Sequence, residues 1–157
     1  MKIGVISDTH DFLDPQVPDI FDGVDHILHA GDVCTAWILF QLEQIAPVTA
    51  ALGNNDATMS LKLTEIVELA SQKFLIQHIV TPQALDEQLA RHILRQRPHV
   101  VIFGHTHKAF QETLGGMLFF NPGYAGRPKF GAVRSVAILH CDAKEIRAEF
   151  VTLPHPG

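Results

Sequence analysis

The sequence has almost no means of gripping a polyanion: 12 Lys and Arg stand against 17 Asp and Glu, the formal net charge is −5, and no two basic residues are adjacent. That excludes a basic groove for extended nucleic acid and a patch for anionic membranes. Cysteine is scarce, with only Cys34 and Cys141, too few for a disulfide framework. There is one Trp, one Tyr, no internal repeat, no low-complexity tract, and no apolar run near the ~18 residues of a spanning helix. Asp8 and Asp11 fall where a signal peptide needs its apolar stretch. These absences predict a reduced, cytoplasmic protein without membrane contact. What is present is a 46% hydrophobic content over 157 residues, suited to one domain spanning 1–157, and ten histidines.

Short apolar runs at 2–7, 26–30 and 47–52 stop at Asp8, at Gly31-Asp32 and at Gly53 and read as buried strands. Between the last two, residues 36–45 carry Trp37, Ile38, Phe40, Leu42 and Ile45 at roughly helical spacing, with Thr35 as N-cap. This rhythm predicts parallel strands with crossover helices. Residues 63–69 and 73–78 predict a hairpin, and a helix follows from Pro82 to Gln96, ended by Pro98. A strand at 99–103, a hairpin of 110–113 with 117–120 around Gly115-Gly116, and a final pair at 133–140 and 145–152 complete the reading. Loops are expected at 11–18 and 121–131. Nine or ten short strands are too many for one doubly wound sheet of this length, so the fold class is α/β with two packed mixed β-sheets forming a sandwich flanked by helices. Trp37, the phenylalanines, Cys34 and Cys141 are assigned to the core.

The polar residues have a positional pattern. Asp8 with His10, Asp32, Asn54, His78, and His105 with His107 each follow or end a predicted strand. Ligands of open α/β folds gather beyond the carboxyl ends of strands, so five segments would deliver seven polar side chains to one rim. Carboxylate, imidazole and amide oxygen without thiolate suit Mn, Fe, Ni, Co or Zn better than Ca or Mg. Seven ligands exceed the need of one catalytic ion but suit two ions about 3.5–4 Å apart that share a carboxylate. Two carboxylates against two divalent ions leave a net charge of about +2, which attracts phosphate and lowers the pKa of bound water. Each motif alone is common by chance; their order and strand-end placement together carry the reading. The other six histidines, His26, His29, His92, His99, His140 and His155, read as structural or surface residues.

D-x-H (Asp8, His10), G-D (Asp32), G-N-x-D (Asn54, Asp56), a lone His78 and G-H-T-H (His105, His107), in this order, resemble the calcineurin-like metallophosphoesterases. The short chain, H-A-G-D at 29–32 and N-P-G at 121–123 are most similar to their small bacterial and archaeal phosphodiesterase branch. The resemblance covers about residues 1–125. It implies a four-layer αββα fold and two divalent metals, Mn favoured. Asp8, His10 and His107 would hold the first, Asn54, His78 and His105 the second, and Asp32 would bridge them. It implies hydrolysis of a small phosphodiester, favoured over a monoester, by a metal-bridging hydroxide. Homo-oligomers, dimers or tetramers, are frequent among similar small proteins.

Three departures follow from the comparison with the family pattern. Asn55 stands where many members carry His, and an amide cannot protonate a leaving group, so low-pKa leaving groups are expected. Asn55 and Asp56 remain as candidate catalytic residues, Asn55 as a hydrogen-bond donor to a phosphoryl oxygen. Ile79 replaces the usual Gly after His78, which predicts a tilted His78 and a less secure second metal position. Tyr124 stands where Ser is common after N-P-G and could contact substrate or pack the loop. The alternative function is a non-catalytic metal-binding or protein-interaction module on the same fold, like the retromer subunit that has lost ligands; the complete ligand set here argues against it.

Overall fold

The computed structural model describes residues 1–155; the last two residues of the expected domain, 156 and 157, lie outside them. In chain order the elements are β1 (Lys2–Ile6), α1 (Val17–Ile20), β2 (His26–His29), α2 (Ala36–Glu43), β3 (Val48–Ala50), β4 (Thr64–Leu69), β5 (Gln72–Gln77), α3 (Glu87–Gln96), β6 (Val100–Ile102), β7 (Phe110–Leu114), β8 (Met117–Asn121), β9 (Ser135–Cys141) and β10 (Ile146–Thr152). They form two five-stranded mixed sheets, ordered β10-β9-β1-β2-β3 and β4-β5-β6-β8-β7. β1, β2 and β3 are parallel, as are β5, β6 and β8, while β9, β10, β4 and β7 pair antiparallel at the flanks.

The packing explains why the strand sequences do not alternate. Ile3 and Val5 of β1 point into the core between the sheets with Leu28, Phe74, Ile76, Val100, Ile102 and Phe120. Ile6 and Ile27 point the other way, against Val17, Phe21, Ile38 and Leu42 of the α1–α2 layer. On the outer face of the second sheet, Leu75, Val101 and Phe119 meet Leu89 and Ile93 of α3. Both faces of the central strands are therefore buried, so their sequences are continuous apolar runs. Among the described residues no helix is long and apolar enough to cross a membrane.

Several boundaries differ from the sequence expectation for identifiable reasons. α3 starts at Glu87, not Pro82, because the Asp86 side chain accepts from the backbone N–H of Leu89 at 2.8 Å and caps the helix there. It ends where Arg97 turns left-handed before Pro98. Thr35 occupies the N-cap of α2 in extended backbone, but its hydroxyl donates to Asp11 Oδ1 instead of capping. The expected loop 11–18 runs into α1 and is pinned by buried Arg134, which donates to Asp14 Oδ2 at 2.7 Å and to the carbonyl of Gly126 at 2.7 Å. Trp37 and Phe40 are not core: they are 60% and 51% exposed and stack on each other at 5.3 Å on the outer side of α2. Phe130 and Phe150 are exposed as well. The helical spacing could not tell which face of α2 meets the sheet, because apolar residues occupy both.

Candidate metal centre

The loops after β1, β2 and β3 of the first sheet meet those after β5 and β6 of the second. Backbone hydrogen bonds bind them tip to tip: Asp8 N–H to Gly31 O, His10 N–H to Asp32 O, Gly104 N–H to His78 O, and Ala125 N–H to Ser7 O, all at 3.0–3.1 Å. The approach is so close that a Cβ on Gly104 would lie 2.0 Å from Ser7 Oγ, and one on Gly31 would lie 2.8 Å from the His78 ring. Gly31 also has φ +103°, a region where a side chain is strained. Asp8, His10, Asp32, His105 and His107 all have positive φ, between 46° and 72°. Left-handed Asp and His at one rim concentrate backbone strain where side chains must be aimed.

Asp8 is buried, and its Oδ2 accepts from Ser7 Oγ at 2.7 Å and from the His105 N–H at 3.1 Å. That directs Oδ1 toward His10, His78 and His107, whose Nε2 atoms lie 3.8, 3.7 and 3.4 Å away. Asp32 Oδ2 stands 3.6 Å from His10 Nε2 and 3.3 Å from His78 Nε2. Asp8 Oδ1, His10 Nε2 and His78 Nε2 are buried without a hydrogen-bond partner among the described residues. Orphaned buried polar atoms are costly unless something else satisfies them. Their spacing is long for hydrogen bonds but near the ~3–3.5 Å that ligands about 2.1 Å from one ion keep from each other. Two sets of three qualify, Asp8/His10/His107 and Asp8/Asp32/His78, each with ligand atoms within 4.8 Å of one another. A divalent cation therefore fits the donor set in both number and type.

The remaining predicted residues fall around this core. His105 is exposed with its ring 5.3 Å from that of His78, and Asn54 is exposed on the hollow that His78 borders; both stand outside the two sets of three. Asn55 donates from its N–H to Asp32 Oδ1 and from Nδ2 to Asp32 Oδ2, each at 2.9 Å, so its amide orients a candidate ligand. Asp56 is buried, with its carboxylate accepting from the N–H groups of Cys34 at 2.7 Å, Gly53 at 2.8 Å and Val33 at 3.2 Å. It braces the β2 and β3 loops and offers no free oxygen to a substrate. Tyr124 is buried, stacks on His107 at 4.6 Å and donates from its hydroxyl to the carbonyl of Arg127 at 2.9 Å. Asn121 Nδ2 donates to Gly104 O and to Thr106 Oγ1, both at 3.1 Å, and so holds the G-H-T-H loop.

The surroundings of His78 are better ordered than the Ile79 substitution predicts. Ile79 turns outward, while His78 is buried and donates from Nδ1 to the carbonyl of Ala30 at 2.7 Å, which fixes the tautomer and aims Nε2 at the carboxylates. The glycine His78 requires is Gly31, not a residue after itself.

Electrostatics follow the same geometry. Burial pushes the Asp8 carboxyl up, but His10, Ser7, His78 and His107 together hold it below the usual range. Asp8, with Asp32, raises His10 against the opposing effect of burial. Burial lowers His107, and Lys129 reinforces it. His29 is fully buried and pushed down to about 4 by burial. It is neutral, accepting from Gly31 N–H at Nδ1 (3.1 Å) and donating from Nε2 to Thr9 Oγ1 (3.0 Å).

Sequence reasoning missed two neighbours. Cys34, assigned to the core, is partly exposed with Sγ 3.9 Å from His10 Nδ1, and burial and the adjacent aspartates raise its pKa, keeping it a thiol. His29, by contrast, is the structural residue the sequence suggests: it ends β2, is fully buried, and has both ring nitrogens satisfied. Lys129, from the expected loop 121–131, puts Nζ 3.4 Å from His107 Nδ1 and 4.3 Å above the Tyr124 ring; nothing in a lone surface lysine announces this.

A two-sheet sandwich with two carboxylates and a fan of imidazoles at its strand ends defines a metal-binding phosphoesterase-type protein. The family model described as "Calcineurin-like phosphoesterase superfamily domain" matches residues 1–144, and the chain belongs to that superfamily. It is 35% identical to a probable metallophosphoesterase of Methanothermobacter thermautotrophicus, over 99% of this chain and 95% of the relative. It is 31% identical to a phosphodiesterase of Methanocaldococcus jannaschii, over 94% of this chain and 97% of that one. Among solved structures, an archaeal phosphodiesterase superposes with a TM-score of 0.72 at 28% identity, over 96% of this chain and all of that chain. Vps29 of Entamoeba histolytica in complex with Zn²⁺ superposes with a TM-score of 0.75 at 25% identity, over 97% and 99%.

Proposed function

We propose that the protein is a dinuclear, divalent-metal-dependent phosphodiesterase acting on small phosphodiesters, with Mn as the favoured metal. The observation that carries this reading is the trio of buried, partnerless atoms, Asp8 Oδ1 with His10 Nε2 at 3.8 Å and His78 Nε2 at 3.7 Å from it. Asp8, His10 and His107 would hold one ion, Asn54, His78 and His105 the other, and Asp32 Oδ2, which faces His10 and His78, would lie between them. Bound there, divalent ions supply the positive charge this acidic chain lacks, activate water and neutralise charge developing on phosphoryl oxygens.

The chain's own residues prepare that site. Ser7 and the His105 N–H satisfy one oxygen of Asp8 and leave the other for coordination. Ala30 and Asn55 fix His78 and Asp32 as second partners do in metal sites generally. Asp56 acts as a brace and not as an acid. Asn55 has no proton to give a departing alkoxide, so turnover favours leaving groups of low pKa.

Metal analysis of the purified, Mn-loaded protein, followed by assays on bis(p-nitrophenyl) phosphate and p-nitrophenyl phosphate, tests the reading. Two metal equivalents are expected, with Mn-dependent turnover of the diester above that of the monoester and loss of turnover in Asp32→Asn. Fewer than two equivalents, with wild type no faster than Asp32→Asn, would leave the non-catalytic module as the better account.

A further inference from the structure

Two hollows border candidate ligands at opposite ends of the cluster, and they share no lining residue. One, of about 330 Å³, is bordered by His78 and Asn54, and its other walls include Leu52, Ala57, Leu63 and Ile79. The second, of about 440 Å³, is bordered by His107 and carries Lys108, Lys129, Phe130 and Val133. Each thus adjoins a different end of the ligand cluster, and their chemistry differs: one wall is aliphatic, while the other adds two ammonium groups to apolar Phe130 and Val133.

The aliphatic wall is held in place and left uncovered. Leu63 and Ile79 are 55% and 48% exposed. Single exposed apolar residues are ordinary, but these two share one concave wall with the candidate ligands His78 and Asn54. The Ile79 backbone is tethered on both sides: the preceding His78 carbonyl accepts from Gly104 N–H at 3.0 Å, and its own carbonyl accepts from Gln77 Nε2 at 3.2 Å. A rigid apolar surface at a polar rim gains from covering by an apolar group of the ligand.

The cationic wall is equally specific. In a chain of net charge −5, Lys108 and Lys129 border the same hollow. Lys129 is positioned by the Tyr124 ring beneath it. No carboxylate contacts either ammonium within ion-pair distance among the described residues. Their charge is free to meet an anion.

We propose that the substrate is an unsymmetrical phosphodiester, one arm apolar and seated against Leu63 and Ile79 beside His78, the other bearing a negatively charged group met by Lys108 and Lys129 beside His107. A phosphomonoester has only one arm and would use one hollow; a diester has two. The inference rests on the phosphodiesterase reading and adds to it which ends of the diester are recognised.

The test uses the Mn-loaded protein and p-nitrophenyl diesters that differ in the other arm: thymidine carrying a 3′-phosphate, the same thymidine with a free 3′-hydroxyl, and phosphorylcholine. Wild type should prefer the 3′-phosphorylated ester over its hydroxyl counterpart by about tenfold and disfavour the cationic choline arm. Lys129→Glu should cut the ratio of kcat/KM for the 3′-phosphate ester over the choline ester by at least about tenfold. Calorimetry then reads the apolar arm without turnover: wild type should bind diphenyl phosphate more tightly than dimethyl phosphate, and Ile79→Ser should reduce that ratio about tenfold. Both variants alter exposed side chains, so the far-UV circular dichroism should match wild type. A ratio left unchanged by its variant overturns the arm assigned to that wall, with the phosphodiesterase reading intact. A wild type inert toward all three esters overturns that reading and this inference together.

Discussion

The two ends of the ligand cluster are held by different means. At the His78 end the imidazole side chain is 1% exposed, its Nδ1–H is anchored on the Ala30 carbonyl, and neutral His29 supports the Gly31 turn beneath it. At the other end the side chains of His10 and His107 are each 32% exposed, their rings meet edge to face at 5.4 Å, and Tyr124 stacks on His107. One end is fixed by backbone carbonyls and the other by aromatic packing. A ligand locked to backbone arrives preorganised; one packed against rings can adjust, and it is at this end that Lys129 stands. The residue most open to suspicion in sequence, Ile79 after His78, turns out to flank the more rigid end.

Four measurements break or sharpen that contrast. The largest effect belongs to Asp8, the member common to both sets of three. Asp8→Ala should remove the Mn equivalent assigned to Asp8, His10 and His107, weaken the other, and cost about 4 kcal/mol of barrier lowering, roughly 10³-fold in kcat, read by metal analysis and diester turnover. Two equivalents surviving intact would show that Asp8 is not a ligand.

Next comes pH. Burial holds His29 at about 4 in the folded protein, below its ordinary value of 6.5. The unfolded chain therefore takes up the proton first on acidification, so stability is full above pH 6.5 and falls as pH drops toward 4, by up to ~3 kcal/mol. His10 has the opposite sign: its pKa is raised, so its contribution is present below 6.5 and fades as pH rises through the folded value. Urea unfolding of the metal-free protein between pH 7 and 4 should show a loss that His29→Gln flattens and His10→Ala steepens. Equal slopes in both variants would erase the distinction.

Gly31→Ala places a methyl 2.8 Å from the His78 ring at a φ of +103°. It should weaken one of the two proposed Mn equivalents about 10- to 100-fold and leave the other nearly unchanged, as seen by calorimetric titration. Equal weakening of both would show that His78 and His107 are coupled. The smallest effect is at Tyr124: Tyr124→Leu removes the stack on His107, worth about 0.5–1.5 kcal/mol, and should lower Mn affinity a few-fold at that end only.

Much of this was legible in the chain because it depends on local rules. A buried parallel strand must be an apolar run, and where such a run stops at Asp or His the side chain lies at a strand end, which is where ligands gather in α/β folds. Hence the order Asp8, His10, Asp32, Asn54, His78, His105 and His107 points to one rim from the sequence. Other features were not legible because they arise between segments far apart in sequence. Asp56 looked catalytic from its place in G-N-x-D, yet three amides from two loops occupy its carboxylate. Trp37 and Phe40 matched a helical apolar face, but α2 turns Ile38 and Leu42 to the sheet.

The sequence by itself determined the two-sheet class, the superfamily and the kinds of ligand atoms, since hydrophobic periodicity and residue chemistry are local properties. Tertiary structure alone decided which of those atoms face one another. It set Asp8 Oδ1 among three imidazoles, turned five candidate ligands left-handed, and placed Ile79 and Lys129 in separate hollows beside His78 and His107. The physical reason is that coordination requires side chains from five loops to meet within a few ångströms, and that distance is fixed by packing of the sheets, not by any one segment.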